Sequence, residues 1–508
     1  MRKVLSALCA FGAICYANET MAEVTFVSTK RLSLQGSLDI GGDFFALPHS
    51  NFGAGSYAKL PSGDYKRHGD VSYSEFFGKP AVTGRWDTPW GFSVIGKASA
   101  VGSGTVGDGD AMSISQTAGG PSAVTWEEGY LGVVVPFKLL HTKQTLTVQG
   151  GRQAFTIDDG FLVGKGGYST TGTGAWWYAP RYAFAGPGTI KIEGENTRAD
   201  IFMLENSTNN QRAQGNDRPR TKFVGFDFSW FINTKGGNGG KNYFDRKAYV
   251  TLTYFHVLDA DVSSTYDYAV RADRRGMNVT SLSWGGNVLP VKALNMENDF
   301  TFYGNFVSEQ NSHAGNGYTG VQAFGMYFEP GYTFSKLPWK PHVFYRYTRY
   351  GGAKNTTDKV KRNYDPFFLY DGKRYVYGGY WPGEIVGMYL APLSDLEIHQ
   401  FDVTATPPIH LFKRKDEVKL GVHYYDLSLI HVEGMWLPKG TGRHISREVD
   451  LTVEYNMDDT TSFALGGGVA FAGPAGRSLA AASIPTGYQL HNLGEHAGVF
   501  EGYFYKHF

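Results

Sequence analysis

The stretch Glu448–Asn456, EVDLTVEYN, changes character at every residue. Val449, Leu451, Val453 and Tyr455 fall on one side of an extended chain. Glu448, Asp450, Thr452, Glu454 and Asn456 fall on the other. A period of two describes a strand with one apolar and one charged face, and no helix presents it. The pattern recurs along the chain. Leu32, Leu34, Leu38 and Ile40 oppose Ser33, Gln35, Ser37 and Asp39. Ala248, Val250, Leu252 and Tyr254 oppose Lys247, Tyr249, Thr251 and Thr253. Val418, Leu420, Val422 and Tyr424 oppose Lys419, Gly421, His423 and Tyr425; Val343, Tyr345 and Tyr347 oppose Phe344, Arg346 and Thr348. Each run is about ten residues, the length a tilted strand needs to cross a bilayer.

Two architectures use such strands: a water-soluble sheet packed on a second sheet, and a barrel whose apolar face meets lipid. Composition favours the second. Charged residues are 19% and aromatic residues 15%, with 66 glycines. No regular blade period appears, and no internal stretch is apolar enough for a spanning helix. Connections are unequal: short at 87–91, 335–338 and 457–460, long at 41–70, 103–124, 158–187, 259–294, 351–382 and 472–497. Short turns on one rim and long extracellular loops on the other characterise an outer-membrane barrel. The expected fold is therefore all-β, a transmembrane antiparallel β-barrel over residues 23–508.

Residues 1–22 have the form of a secretory signal peptide. Arg2 and Lys3 precede an apolar core, Val4 to Tyr16, and Thr20-Met21-Ala22 offers a cleavage site. The only two cysteines, Cys9 and Cys15, lie inside this segment, so the processed chain has no disulfide or thiolate site. Its basic and acidic residues balance, which gives no electrostatic ground for a nucleic-acid partner. No cofactor motif is present. The chain ends GVFEGYFYKHF, and a last strand finishing on Phe508 fits the signal by which bacterial barrels are assembled, with Lys506 where an aromatic is usual.

Two segments carry a family resemblance. Thr145–Gly164, TLTVQGGRQAFTIDDGFLVG, resembles the Gly-Arg-Gln strand and Asp-Gly loop of the bacterial alginate export outer-membrane family. Asn363–Leu390, NYDPFFLYDGKRYVYGGYWPGEIVGMYL, resembles that family's Asp-Pro segment followed by Trp-x-Gly-Glu. The resemblance implies a single-chain barrel of about 18 strands (16–18) with an arginine-bearing lumen. It also implies passive passage of an anionic polysaccharide or of small anionic or polar solutes.

Guanidinium groups lining such a lumen concentrate anions, and nearby carboxylates keep the binding weak enough for release. The candidate pathway residues are Arg152, Asp158, Asp159, Arg181, Arg198, Arg346, Arg362, Asp365 and Glu384. The basic stretch 340–374 is either a loop in the pore mouth or a surface for lipopolysaccharide phosphates. Two alternatives compete. Trp176, Trp177, Tyr178 and Trp381 suit a track for hydrophobic or aromatic solutes, or an interfacial girdle. His444 and Ser446 share a strand face, as the base and nucleophile of an outer-membrane hydrolase would.

Overall fold

The computed structural model describes residues 23–508, apart from 140–141, 168–171, 207–219, 233–247, 262–273, 287–299, 314–318, 356, 370–375, 381, 436 and 489–492. The expected signal peptide and Trp381 lie outside the described residues. One sheet contains twenty strands, of which Val24–Ser28 and Val360–Lys361 are short additions. The remaining eighteen form the wall. They are β1 (Leu32–Leu47), β2 (Val71–Asp87), β3 (Ser93–Gly107), β4 (Ser122–Leu139), β5 (Thr142–Arg152) and β6 (Gly186–Glu193). Next come β7 (Thr197–Glu205), β8 (Thr221–Ile232), β9 (Ala248–Ala260), β10 (Asn278–Gly286), β11 (Phe300–Asn311) and β12 (Gly320–Thr333). The last six are β13 (His342–Tyr350), β14 (Leu396–Ala405), β15 (Glu417–Leu429), β16 (His444–Asp458), β17 (Thr461–Ala472) and β18 (His496–His507).

Each wall strand pairs antiparallel with its sequence neighbours, and β1 closes the circle by pairing with both β2 and β18. Closure leaves no wall strand as a free edge. The terminal aromatic is part of the closure: Phe508 exchanges backbone hydrogen bonds of 3.0 and 2.9 Å with Leu38. Below it, Val24–Ser28 pairs with the rest of β1, so this segment and the C-terminal strand share one line of the wall. The Lys506 ammonium sits 4.9 Å over the Phe508 ring.

The alternation is realised with its faces reversed relative to a soluble protein. On β4 Leu131 is 71% exposed, and on β16 Leu451 is 60% exposed. The charged partners of that alternation, Glu448 and Asp450 on β16 and Glu501 on β18, are buried. An apolar outside and a charged inside suit a wall whose outer medium is hydrocarbon.

The wall explains one misreading. The expected loop 259–294 contains β10, whose inward residues Ser281 and Ser283 are small and polar, so little contrast marks the strand. The expected loops at 41–70 and 103–124 likewise include strand ends, because β1 runs to Leu47 and β3 to Gly107.

Candidate functional site

The inward faces of the strands meet two loops that fold into the barrel: 153–185, between β5 and β6, and 351–395, between β13 and β14. These contain most of the two segments that carry the family resemblance, and they touch. Val163 forms a parallel bridge with Phe368. The Gly164 N–H donates to the Phe368 carbonyl at 2.9 Å, and the Phe368 N–H donates to the Leu162 carbonyl at 3.2 Å. Around this join lies an apolar core. Phe161 packs 5.0 Å from Tyr327 and 5.2 Å from Tyr380, and Phe368 lies 5.2 Å from Phe223 and 5.4 Å from Phe184. Each such ring pair adds about 0.5–1.5 kcal/mol beyond the area it buries.

Polar anchors hold the loops to the wall, mostly through carboxylates accepting backbone N–H groups. Glu75 of β2 accepts from Trp176, Trp177 and Tyr178 at 2.8, 2.9 and 3.1 Å. Glu127 of β4 accepts from Tyr182 and Ala183, both at 2.8 Å. Glu448 accepts from Ile385 and Val386 at 2.8 and 3.0 Å. Glu309 of β11 accepts from Asp365 at 3.0 Å. Gly383 makes the Glu448 contact feasible: its φ is 91°, and a side chain there would collide with the Glu448 carboxylate.

All the sequence-derived pathway residues except Arg362 lie inside the barrel. Arg152 bonds the Glu127 carbonyl and approaches its carboxylate at 3.6 Å. Asp158 accepts from Thr251 at 2.7 Å and from Ser283; Asp159 accepts from Tyr327 and Tyr380. These two aspartates tie the first loop to the facing wall. Arg181, fully buried, donates to Thr125 and Ser103, each at 2.7 Å. Arg198 pairs with Asp200 at 2.5 Å. Arg346 pairs with Glu329 at 2.6 Å and donates to the Gly378 carbonyl at 2.9 Å. Asp365 receives Arg274 through two bonds of 2.5 and 2.6 Å. The Glu384 backbone N–H reaches Asp450 at 3.4 Å. Arg362 is exposed at the long-loop rim.

The geometry therefore gives these arginines anchoring partners. A guanidinium already bonded to carboxylate, carbonyl or hydroxyl oxygens has fewer donors left for a passing anion. Sequence reasoning missed Asp43, Glu75, Glu127, Glu128, Glu309, Glu329 and Glu501. The available signal was the strand alternation for all but one of them; Glu127 and Glu128 are adjacent, and both face inward because a bulge opposite Ser99 and Ala100 inserts Glu127 as an extra residue in β4. One further expectation is corrected, and the hydrolase alternative finds no support. Trp176, Trp177 and Tyr178 form no interfacial girdle; the Trp177 ring lies 5.8 Å from inward Phe45 and the Tyr178 ring 4.9 Å from Phe77. His444 Nε2 and Ser446 Oγ each have no hydrogen-bond partner among the described residues, so the base and nucleophile of the hydrolase reading are not paired. His444 instead stands 3.5 Å from Asp426.

No family model matches this chain, and no curated protein matches it, so the alginate export resemblance stands on its two segments alone. Among solved structures, the outer-membrane protein OprD from Pseudomonas aeruginosa aligns with a TM-score of 0.47 at 9% identity, covering 93% of each chain. OccK5 (OpdH) from the same organism aligns with a TM-score of 0.46 at 9% identity, covering 92% of this chain and 97% of that one. Likeness at this level transfers no residue's role.

Proposed function

We propose that this chain is a bacterial outer-membrane channel through which small polar solutes diffuse passively, with two inward loops setting the width and lining. The observation that supports it is the reversed burial of a closed barrel: Leu131 and Leu451 outside, Glu448, Asp450 and Arg346 inside. Such a chain is stable only with hydrocarbon around it, and its polar lumen then offers the route for solutes. The filling of the lumen by two anchored loops favours small solutes over a polymer. The periplasmic rim is the one with the short turns, and Phe508 in the closing strand suits recognition by the assembly machinery.

The finer reading is an anion preference carried by Arg152, Arg181, Arg198 and Arg346. It requires these groups to exchange their present carboxylate and carbonyl partners for a passing anion. Planar-bilayer recordings of the purified protein test both levels. Discrete ohmic conductance is expected, and a reversal potential in a salt gradient reports the preferred ion. A chain that is monodisperse in water without detergent would end the channel reading. Cation preference unchanged by Arg152→Gln would end the anionic one.

A further inference from the structure

The short-turn rim carries a feature that the channel reading does not use. The connection from β14 to β15, residues 406–416, is long for that rim, and it folds back against the outside of the wall. Tyr455 and Val418 occupy outward positions on β16 and β15, yet they are only 9% and 7% exposed. Their outward neighbours Val422, Leu451 and Val453 are exposed. The cover is the turn itself. The Phe412 ring lies 6.0 Å from Tyr455, and the Tyr455 hydroxyl donates to Asp416 at 2.8 Å. Asp416 organises the turn by accepting N–H bonds from Leu411, Phe412 and Lys413 at 2.9, 2.8 and 3.0 Å. From Phe412 a band of rings continues around the outer wall: Tyr455 to Phe463 at 6.1 Å, then Phe463 to Phe504 at 5.1 Å.

Phe412 nevertheless stays 78% exposed, and Ile409 and Leu411 are also exposed. The basic run Lys413-Arg414-Lys415 follows immediately. Lys413 is tied to Asp458 at 2.8 Å, while Arg414 and Lys415 project from the turn, exposed. The neighbouring turn 334–341 joins this surface, since the Thr406 N–H donates to the Trp339 carbonyl at 2.8 Å. It adds exposed Phe334, Leu337 and Trp339, with Lys336 and Lys340. Trp339 and Lys340 adopt left-handed backbone conformations, φ 67° and 44°, which non-glycine residues seldom occupy. The nearby exposed acids are Asp459 and Glu417, and Glu417 lies on the lumen-facing side of β15.

We propose that these two turns form a binding site for the headgroup of an anionic glycerophospholipid in the inner leaflet. Phe412, Leu411 and Trp339 enter the acyl boundary, and Arg414, Lys415, Lys336 and Lys340 hold the phosphate. The apolar part is continuous with the lipid-facing wall, which argues for a lipid over a water-borne partner. The excess of positive charge beside it argues for an anionic headgroup. The inference rests on the membrane reading of the outer wall and is independent of conduction.

The test counts lipids retained by the detergent-solubilised full chain in native mass spectrometry, from equimolar phosphatidylglycerol and phosphatidylcholine. Preferential retention of phosphatidylglycerol is expected. The double variant Arg414→Gln/Lys415→Gln should lower that preference roughly tenfold, since each cation near an anionic surface contributes several-fold. Its heat-modifiable gel mobility should be unchanged, which shows that the barrel has folded. Equal retention of both lipids, or a preference untouched by the variant, overturns the site. So does full competition by inorganic phosphate, which assigns a free anion, or tighter capture of a polyglutamate peptide than of lipid. Solubility without detergent instead removes the membrane reading and is recognised before any lipid is added.

Discussion

Two stretches of the lumen wall treat charge in opposite ways. On β3–β5, cations and carboxylates are matched, with Lys79 of β2 reaching across to them, while Glu75 of β2 is held by backbone N–H groups. Lys97 and Lys79 reach Glu128 at 2.7 and 3.5 Å, and Arg152 reaches Glu127. On β16, β18 and β1, the carboxylates outnumber their partners. Asp450 Oδ1, Asp43 Oδ2 and both oxygens of Glu501 are buried with no hydrogen-bond partner among the described residues. The difference comes from what the loops contribute. The first loop brings Arg181 and a set of N–H groups to its wall. The second brings N–H groups and a further acid, Glu384. Strand alternation decides that a charge points inward, and the loop opposite decides whether it is compensated.

The strongest test of this comparison is to unmatch a pair of the matched kind, which β12 and β13 also hold. Arg346 is buried against Glu329, so Arg346→Met should destabilise the folded barrel by about 3–5 kcal/mol. Urea unfolding followed by tryptophan fluorescence in detergent measures this. A loss below about 1 kcal/mol would mean that pairing in the lumen has little energetic content. Truncating the apolar join comes next. Phe161→Ala removes a ring held among four tyrosines and should cost about 3 kcal/mol in the anchoring of the loops. The single-channel conductance should rise, because the plug loosens while the wall remains.

A third prediction uses pH. Asp395 closes the second loop beside β14, accepting from the His431 N–H at 3.1 Å. Burial pushes its carboxyl up to about 8, against that hydrogen bond and the nearby Arg443 and Arg349, with Glu433 adding to the rise. A raised acid favours the folded anchor while protonated. Its contribution is complete below the ordinary carboxylate range and is lost as pH rises through about 8. Protease nicking within 351–395 should therefore increase between pH 6 and pH 9 in wild type and stay flat in Asp395→Asn.

The wall was far more legible than its contents. EVDLTVEYN displays both faces of β16 in nine letters, and Arg346 reads as inward for the same reason. Ser281 and Ser283 give β10 no such contrast. The loops follow no period, so nothing local tells that Val163 meets Phe368 some two hundred residues later. The arginines were conspicuous by residue type, yet their role depends on partners brought by another part of the chain. Glu75 is visible as an inward residue, but its three N–H donors belong to a loop about a hundred positions away.

The smallest effect separates the two kinds of carboxylate within the acidic wall itself. Glu448 and Glu501 are both fully buried and both inward. Glu448 is occupied on both oxygens by the N–H groups of Ile385 and Val386. Glutamine keeps only one of those acceptors, so Glu448→Gln should cost about 1–3 kcal/mol and release that turn. Neither oxygen of Glu501 has a hydrogen-bond partner of ordinary geometry among the described residues, although the Tyr503 hydroxyl faces it, and a buried polar group so weakly held is unfavourable. Glu501→Gln preserves the shape and breaks no well-formed hydrogen bond, so stability should change by less than about 1 kcal/mol or increase. Equal losses for the two substitutions would mean that Glu501 is compensated as fully as Glu448, and the contrast between the walls would disappear.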